Sequence, residues 1–410
     1  MDKKCRFCNS DLNITFLDLG MSPLSNAFLD KEKLDEKEDV FPLKAYVCGN
    51  CLLVQLQEWQ IPSKIFSKYA YFSSYSKTWL QHAEKYTEQM IERFSLNTEK
   101  FVVEIASNDG YLLQYFKKQG LKILGVEPAG NVADVAIKKN IPTEKKFFNS
   151  KTALELIDKY KQPDLIVGNN VLAHVPNLND FIKGLKILLA NNGVITLEFP
   201  HLQKLIEMNQ FDTIYHEHFS YFSLFVVNKI FEKHDLTIFD VEELSTHGGS
   251  LRIYLKHPEN SKYPVSDKVS MIISKEKKVG LFDINFYRKF SPKIEQIRKG
   301  LEEFFENAKI KNKKIVCYGA AAKGNTLLNF CKIPNEVILY IVDRSIYKQG
   351  LFLPGTHFII KKPEDVKETK PDYLLILPWN LKDEIIEQMG FIRDWGGKFV
   401  IPIPEVKIVS

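Results

Sequence analysis

The sequence is poor in the signals that mark several common classes of protein. No uninterrupted apolar segment is long enough to span a bilayer, so no membrane partner is expected. The first residues, MDKKCRFC, run directly into cysteine with no apolar signal core, which points to a reducing cytoplasm. Lys and Arg number 56 against 51 Asp and Glu, a formal charge of +5, and no long basic run gathers them. That balance argues against a dedicated nucleic-acid surface and fits mild attraction to an anionic small molecule. Three fingerprints are also missing: G-x-G-x-x-G, G-K-[ST] and H-E-x-x-H. Their absence removes the usual dinucleotide turn, the Walker loop and the helical zinc-protease site.

What remains is an ordinary globular composition, 45% hydrophobic and 26% charged, on 410 residues. That length exceeds what one core serves, so two or three domains are expected. Four of the six cysteines form two C-x-x-C pairs, Cys5 with Cys8 and Cys48 with Cys51. In a reducing compartment two such knuckles are what tetrahedral zinc with four thiolates requires, disulfides being the alternative. With every coordination place taken by sulfur, this zinc is structural. The intervening loop, containing LDLGMSPLSNAFL and FPLKAYVC, is apolar enough to cover part of another domain. Cys317 and Cys331 read as buried apolar residues.

The segment FDTIYHEHFSYFS sets Tyr215, His216, Glu217 and His218 side by side, using two of the nine histidines. In an extended segment His216 and His218 would share one face and Tyr215 and Glu217 the other. Three readings stay open on these residues alone: an amphipathic edge with solvated histidines, a metal site short of ligands, and proton transfer by a histidine steered by a carboxylate.

Upstream, an apolar run ending at Glu104 leads into a turn of Ala106, Ser107, Asn108, Asp109 and Gly110. A helix and a second run, ending at Glu127 and Pro128, complete a βαβ unit of nucleotide-binding type. Glu127 is placed to hold both hydroxyls of a ribose. A turn with one glycine does not cradle a diphosphate, so an adenosyl ligand such as S-adenosylmethionine fits better than NAD. Asn170 and His174 follow a fourth strand, at the crevice of a doubly wound sheet, although spacing alone makes His174 a surface helix cap.

From about residue 300 the α/β pattern restarts, after a long amphipathic linking helix. The turn Gly319, Ala320, Ala321, Ala322, Lys323, Gly324 follows a strand and opens a helix. It suits either a phosphate at a helix N-terminus or close packing of small residues. In STHGGSLR, the backbone at His247, Gly248 and Gly249 is free to approach a ligand.

Taken in order behind the four-cysteine module, YAYFSSYSKTWLQHA, EIASNDGYLL, NNVLAHVPNL, YHEHFSYFS, THGGSLR and YGAAAKGNTLLN resemble the S-adenosylmethionine-dependent sugar C-methyltransferases, over almost the whole chain. The resemblance implies an α/β fold in three parts: a zinc-binding domain over 1–75, a Rossmann-like methyltransferase core over 76–285, and a C-terminal Rossmann-like domain over 286–410 that helps hold a sugar nucleotide. It implies S-adenosylmethionine and structural zinc as cofactors and a nucleotide-linked 4-keto-deoxysugar methylated at C3 as substrate; separately, a monomer is the expectation. Cofactor contacts are then expected at Glu104, Ala106, Ser107, Asn108, Gly110, Glu127, Pro128 and Asn170. Substrate contacts are expected at His247, Gly248, Gly249, Gly319, Ala322, Lys323 and Gly324. The resemblance makes His218 the base that removes a proton alpha to the ketone, with Tyr215 and Glu217 assisting and His174 and Tyr71 at the sugar oxygens. Ala106 stands where the family usually carries glycine. Two other functions stay in view: a sugar-nucleotide enzyme that enolises without methylating, and a non-catalytic zinc-ribbon nucleotide-binding module, which has no use for an enolising base.

Overall fold

The structure is a computed structural model that describes residues 3–60, 72–333 and 336–410. Among the described residues the strands form three sheets. The central one contains β4 (Phe101–Ile105), β5 (Lys122–Val126), β6 (Thr143–Glu144), β7 (Leu165–Asn169) and β8 (Val194–Pro200), all parallel. β10 (Thr237–Leu244) and β11 (Ser250–Lys256) extend it in antiparallel fashion. β4 and β7 are apolar and buried almost throughout, as a parallel sheet covered by helices on both faces demands. The order is β10-β11-β8-β7-β4-β5-β6. Between β4 and β7 the winding reverses, which opens a crevice over the carboxyl ends of those strands.

The C-terminal sheet repeats the device. Its strands are β12 (Ile315–Tyr318), β13 (Ile338–Val342), β14 (Ile360–Lys361), β15 (Tyr373–Ile376), β16 (Lys398–Ile401) and β17 (Lys407–Val409), in the order β14-β13-β12-β15-β16-β17. Here the reversal falls between β12 and β15. The linking helix Phe290–Ile310 buries Ile294, Ile297, Leu301 and Phe305 on one stripe, and Phe290 stacks on Phe16 at 4.9 Å.

The third sheet holds β1 (Ile14–Pro23), β2 (Val40–Val47) and β3 (Val54–Leu56) of the cysteine-bearing module, all antiparallel. Its fourth strand, β9 (Ser220–Tyr221), comes from far along the chain, directly after the YHEH segment, and sets Tyr221 opposite Val54 and Ser220 opposite Gln55.

One buried ion network braces the central sheet. Arg252 on β11 lies opposite Glu198 on β8 and donates to it from Nε at 2.7 Å. His82 Nε2 reaches the same carboxylate at 2.9 Å, and Glu242 meets the outer side of the guanidinium at 2.9 Å. Both Arg252 and Glu198 are buried, and buried charges persist only when their partners are complete. His82 belongs to the helix Lys77–Phe94, whose first turn is capped by the Ser76 hydroxyl and whose buried stripe runs Trp79, Ala83, Tyr86, Met90, Phe94. Replacing Arg252 by Met should destabilise the protein by about 3–5 kcal/mol in a denaturant titration, because Glu198 is left buried without its cation. A second replacement, Glu198→Met, should restore much of that loss. A single variant as stable as the parent would show that the pair does not brace the sheet.

Candidate active site

One cavity of about 940 Å³ lies where the two winding reversals face each other. Ala106, Asn108, Glu127 and Asn170 reach it from the central sheet, and Lys323 and Asn380 from the loops after β12 and β15. The YHEH segment closes a third side with Tyr215 and His218, beside His174.

That segment is not extended. The His218 amide donates to the Tyr215 carbonyl at 2.9 Å, closing a tight turn. The turn overturns the strand-like alternation expected from sequence and brings residues three apart onto one side. Tyr215 Oη donates to His218 Nε2 at 2.6 Å, and the two rings lie 3.9 Å apart. His218 Nδ1 meets the Thr213 carbonyl at 2.8 Å. A carbonyl only accepts, so Nδ1 carries the hydrogen and Nε2 keeps the lone pair. Burial holds His218 well below its ordinary pKa, with repulsion from His174 and Lys323 adding to the effect. Burial likewise lowers His174 to about 4 and His247 to about 3. The His174 ring stands edge-on to His218 at 4.7 Å, and His247 Nε2 lies 3.0 Å from the Asn170 amide. At neutral pH these imidazoles are uncharged. His216 is turned away from the cavity, buried with its ring edge toward Phe41. Glu217 also lies behind the wall, where both carboxylate oxygens accept from the Asn26 amide at 2.8 Å.

On the central-sheet wall, Ala106 has φ +57° and Gly110 φ +76°. An L-residue in the left-handed region costs about 1 kcal/mol more than glycine, so Ala106 holds a position that glycine fits with less strain. At Gly110 a Cβ would also meet Ile141 Cδ1 at 2.3 Å, so that glycine serves the turn and not the ligand directly. Glu127 accepts from the Asn108 and Ala129 amides at 3.0 and 2.8 Å, and burial pushes it up to about 7. Each carboxylate oxygen keeps a further lone pair, which is what a ribose diol requires, so the wall fits an adenosyl ligand. Pro128 lines the cavity beside Glu127, whereas Glu104 and Ser107 are buried behind the wall.

The opposite wall carries two lysines. Lys323 lines the cavity, donates to Asn380 Oδ1 at 3.3 Å, and is drawn below its ordinary pKa by burial, against the pull of Asp212. Asp212 in turn accepts from the Trp379 indole at 2.7 Å and is raised by burial to about 6. Lys348, almost fully buried, also faces the cavity and donates to the Ala320 carbonyl at 2.8 Å. Ala322 and His247 line the same space. Gly248, Gly249, Gly319 and Gly324 do not. A Cβ at these positions would strike Trp379, Lys204, Pro378 and Leu377 at 2.5–2.8 Å, so close packing accounts for them. Tyr71 lies outside the described residues. Sequence reasoning passed over Asn26, His82 and Lys348: Asn26 and His82 stand inside quoted stretches, but no spacing marks them as site residues.

Sulfur atoms of Cys5, Cys8, Cys48 and Cys51 all lie within 4.8 Å of one another, and the cysteines form no disulfide. A tetrahedron of thiolates around zinc has edges of about 3.8 Å, so the cluster fits that metal. Each knuckle ends the same way, with Asn9 and Leu52 at positive φ donating to the carbonyls of Cys5 and Cys48. Cys317 and Cys331 are buried far from the cluster.

Family models match in three consecutive stretches: a zinc binding domain over residues 5–66, a methyltransferase domain over 79–241 and a C-methyltransferase C-terminal domain over 245–404. The chain is 34% identical over 407 residues to the C-methyltransferase NovU of Streptomyces niveus, covering 99% of this chain and 97% of that protein. Solved structures overlap it less. A SAM-dependent methyltransferase of Anabaena variabilis shares 16% identity at a TM-score of 0.36, over 43% of this chain and 85% of that one. The magnesium protoporphyrin IX methyltransferase of Synechocystis PCC 6803, solved with bound SAM, shares 14% at 0.34, over 43% and 79%.

Metal analysis of protein purified without chelator should return about one zinc per chain. Stripping it should lower the melting temperature by more than about 5 °C, because ligation stabilises only the folded module. Metal-free protein with the parent's melting curve would rule out a structural zinc.

Proposed function

The chain belongs to the C-methyltransferase family as an S-adenosylmethionine-dependent enzyme with a zinc module, and from that premise we propose that it methylates C3 of a nucleotide-linked 4-keto-deoxysugar through an enolate. The observation that carries this reading is His218: a neutral imidazole with its tautomer set by Thr213, in a cavity that also presents Lys323 and Lys348. An unactivated carbon is not a nucleophile. Removing the proton alpha to a ketone makes it one, and that step needs a neutral base and a donor for the enolate oxygen.

His218 Nε2 is the base. In the resting site it accepts the Tyr215 hydroxyl. When that hydroxyl turns to the substrate oxygen, the lone pair is freed for the α-proton, so one rotation supplies both the acceptor and the donor. His174 adds a second contact to the sugar oxygens, and Tyr71 is assigned the same role from its motif. Glu127, Asn108 and Asn170 hold S-adenosylmethionine, which when bound supplies the methyl group as an electrophile. Lys323 and Lys348 hold the diphosphate of the sugar nucleotide, whose two negative charges match them. The same reading divides the chain after residues 75 and 285.

In deuterated water, dTDP-4-keto-6-deoxyglucose with the parent protein should exchange an α-proton, and His218→Gln should lose exchange and methylation by about 10²–10⁴-fold while keeping its affinity for S-adenosylhomocysteine. Exchange persisting in the variant would move the base elsewhere. NMR of the methylated product locates the new carbon; a methyl at C5, the ketone's other α carbon, would correct the assignment to C3.

Glu127 generates a pH dependence. Its pKa is raised by the fold, so the folded state favours the neutral acid, and stability falls as pH rises from the ordinary carboxyl value through about 7. A ribose diol donates to the ionised form. S-adenosylhomocysteine should therefore bind more tightly at pH 8 than at pH 6, releasing protons that calorimetry in buffers of different ionisation enthalpy will count. Glu127→Gln should flatten that dependence, and a parent affinity independent of pH would remove Glu127 from the ribose.

A further inference from the structure

We propose that Asn26, carried on the zinc module, is a positioning residue of the catalytic centre that sets the carboxylate of Glu217. The inference rests on the reading of residues 215–218 as the acid–base segment. Asn26 sits on the long loop between β1 and β2, 191 residues from Glu217 in sequence, and its amide nitrogen meets both carboxylate oxygens at 2.8 Å. Only the NH₂ end of the amide donates, so this contact fixes which way the Asn26 side chain points. Asn26 also lines the cavity, whereas Glu217 is buried behind the wall. A buried carboxylate is held in place by its donors, and its displacement moves the one-turn segment that carries Tyr215 and His218.

The loop is anchored at both ends of that contact. Ser25 meets Thr326 at 3.4 Å, and Leu29 pairs with Phe352 as an isolated antiparallel bridge. Farther on, Glu38 accepts from the Gly355 amide at 3.0 Å and from His357. The other side of the module is tied to the same segment. Gln55 donates to Cys5 Sγ at 3.1 Å, accepts from the Arg6 amide at 2.9 Å, and lies opposite Ser220, two residues beyond His218. The zinc module thus holds the acid–base segment at two points: through β9 on its carboxyl side and through Asn26 at its centre.

A double-mutant cycle on the full-length zinc-loaded protein tests this, with α-proton exchange of dTDP-4-keto-6-deoxyglucose as the rate and S-adenosylhomocysteine affinity and zinc content as controls. Asn26→Ala should lower the exchange kcat about 10–100-fold with KM, cofactor affinity and zinc content near the parent's. Asn26→Asp, which sets a like charge against Glu217, should lose more. Ser25→Ala, which removes one anchor of the same loop and leaves Asn26 in place, should lose far less than Asn26→Ala. Adding Asn26→Ala to Glu217→Gln should cost no more than Glu217→Gln alone, because Asn26 acts through that carboxylate. Independent, multiplicative losses, or an Asn26→Ala variant within twofold of the parent, would overturn the inference while leaving the acid–base reading intact. Parent-like exchange by Glu217→Gln, or no exchange by the parent itself, would instead overturn the reading on which it rests.

Discussion

Burial of ionisable side chains at the junction of the two sheets is the constraint from which the rest of the site follows. His174, His218 and His247 are uncharged near neutral pH because burial disfavours the imidazolium, the first cause of each shift. Burial has a price elsewhere, since polar groups taken inside need partners. The Thr213 carbonyl, the Asn170 amide, the Trp379 indole and the Arg252 guanidinium fill that role for His218, His247, Asp212 and Glu198. The last three of these partners come from segments remote in sequence, so the site is complete only when the whole chain is folded.

The architecture explains how such a junction arises. A doubly wound sheet leaves its ligand crevice open to solvent at the winding reversal. Here two reversals, after β4 and β7 and after β12 and β15, are set face to face, so each sheet roofs the crevice of the other. The remaining gap is filled by the YHEH turn, which leads into β9, the edge strand of the zinc module's sheet. Across the mouth, the Thr78 hydroxyl donates to Glu384 at 3.0 Å, joining the first turn of the helix Lys77–Phe94 to the C-terminal unit. The zinc module is accordingly no appendage. Its own core is small, and its sheet carries β9, the strand that follows the YHEH turn.

What was legible in the sequence was whatever depends on short spacing. Cys5, Cys8, Cys48 and Cys51 announce their cluster because thiolate ligation of zinc needs tight knuckles, and Glu127 announces itself at the end of a strand that follows a small-residue turn. The linking helix Phe290–Ile310 and the alternation of strands and helices were legible for the same reason. The conformation of residues 215–218 was not, because four polar or aromatic residues carry no apolar period to separate strand from turn. Nor was the Asn26–Glu217 contact, which spans 191 residues. Gly319 and Gly324 show the limit from the other side: a glycine-rich turn before a helix looks the same whether it admits a phosphate or the side chains of Pro378 and Leu377, and here it admits the side chains.

A base whose pKa is lowered is also a weaker base, and in the proposed reaction that tension has to be resolved within the cavity. Each unit of pKa surrendered by His218 removes about 1.4 kcal/mol from the driving force for taking a proton from carbon. The same burial that weakens the base strengthens charge interactions with the enolate, because the surrounding protein screens them less than bulk water does. Lys323 is near enough to His218 to lower its pKa by repulsion. That repulsion opposes a cation on the imidazole alone, and in the proposed reaction an anion formed on the substrate beside His218 offsets it. Burial and the nearby ammonium thus penalise protonation of His218 in the empty site, and the enolate lessens that penalty once the proton comes from a substrate that keeps the negative charge. In that reaction a base so tuned stays neutral until its substrate arrives and accepts a proton most readily from a carbon acid whose charge stays beside it.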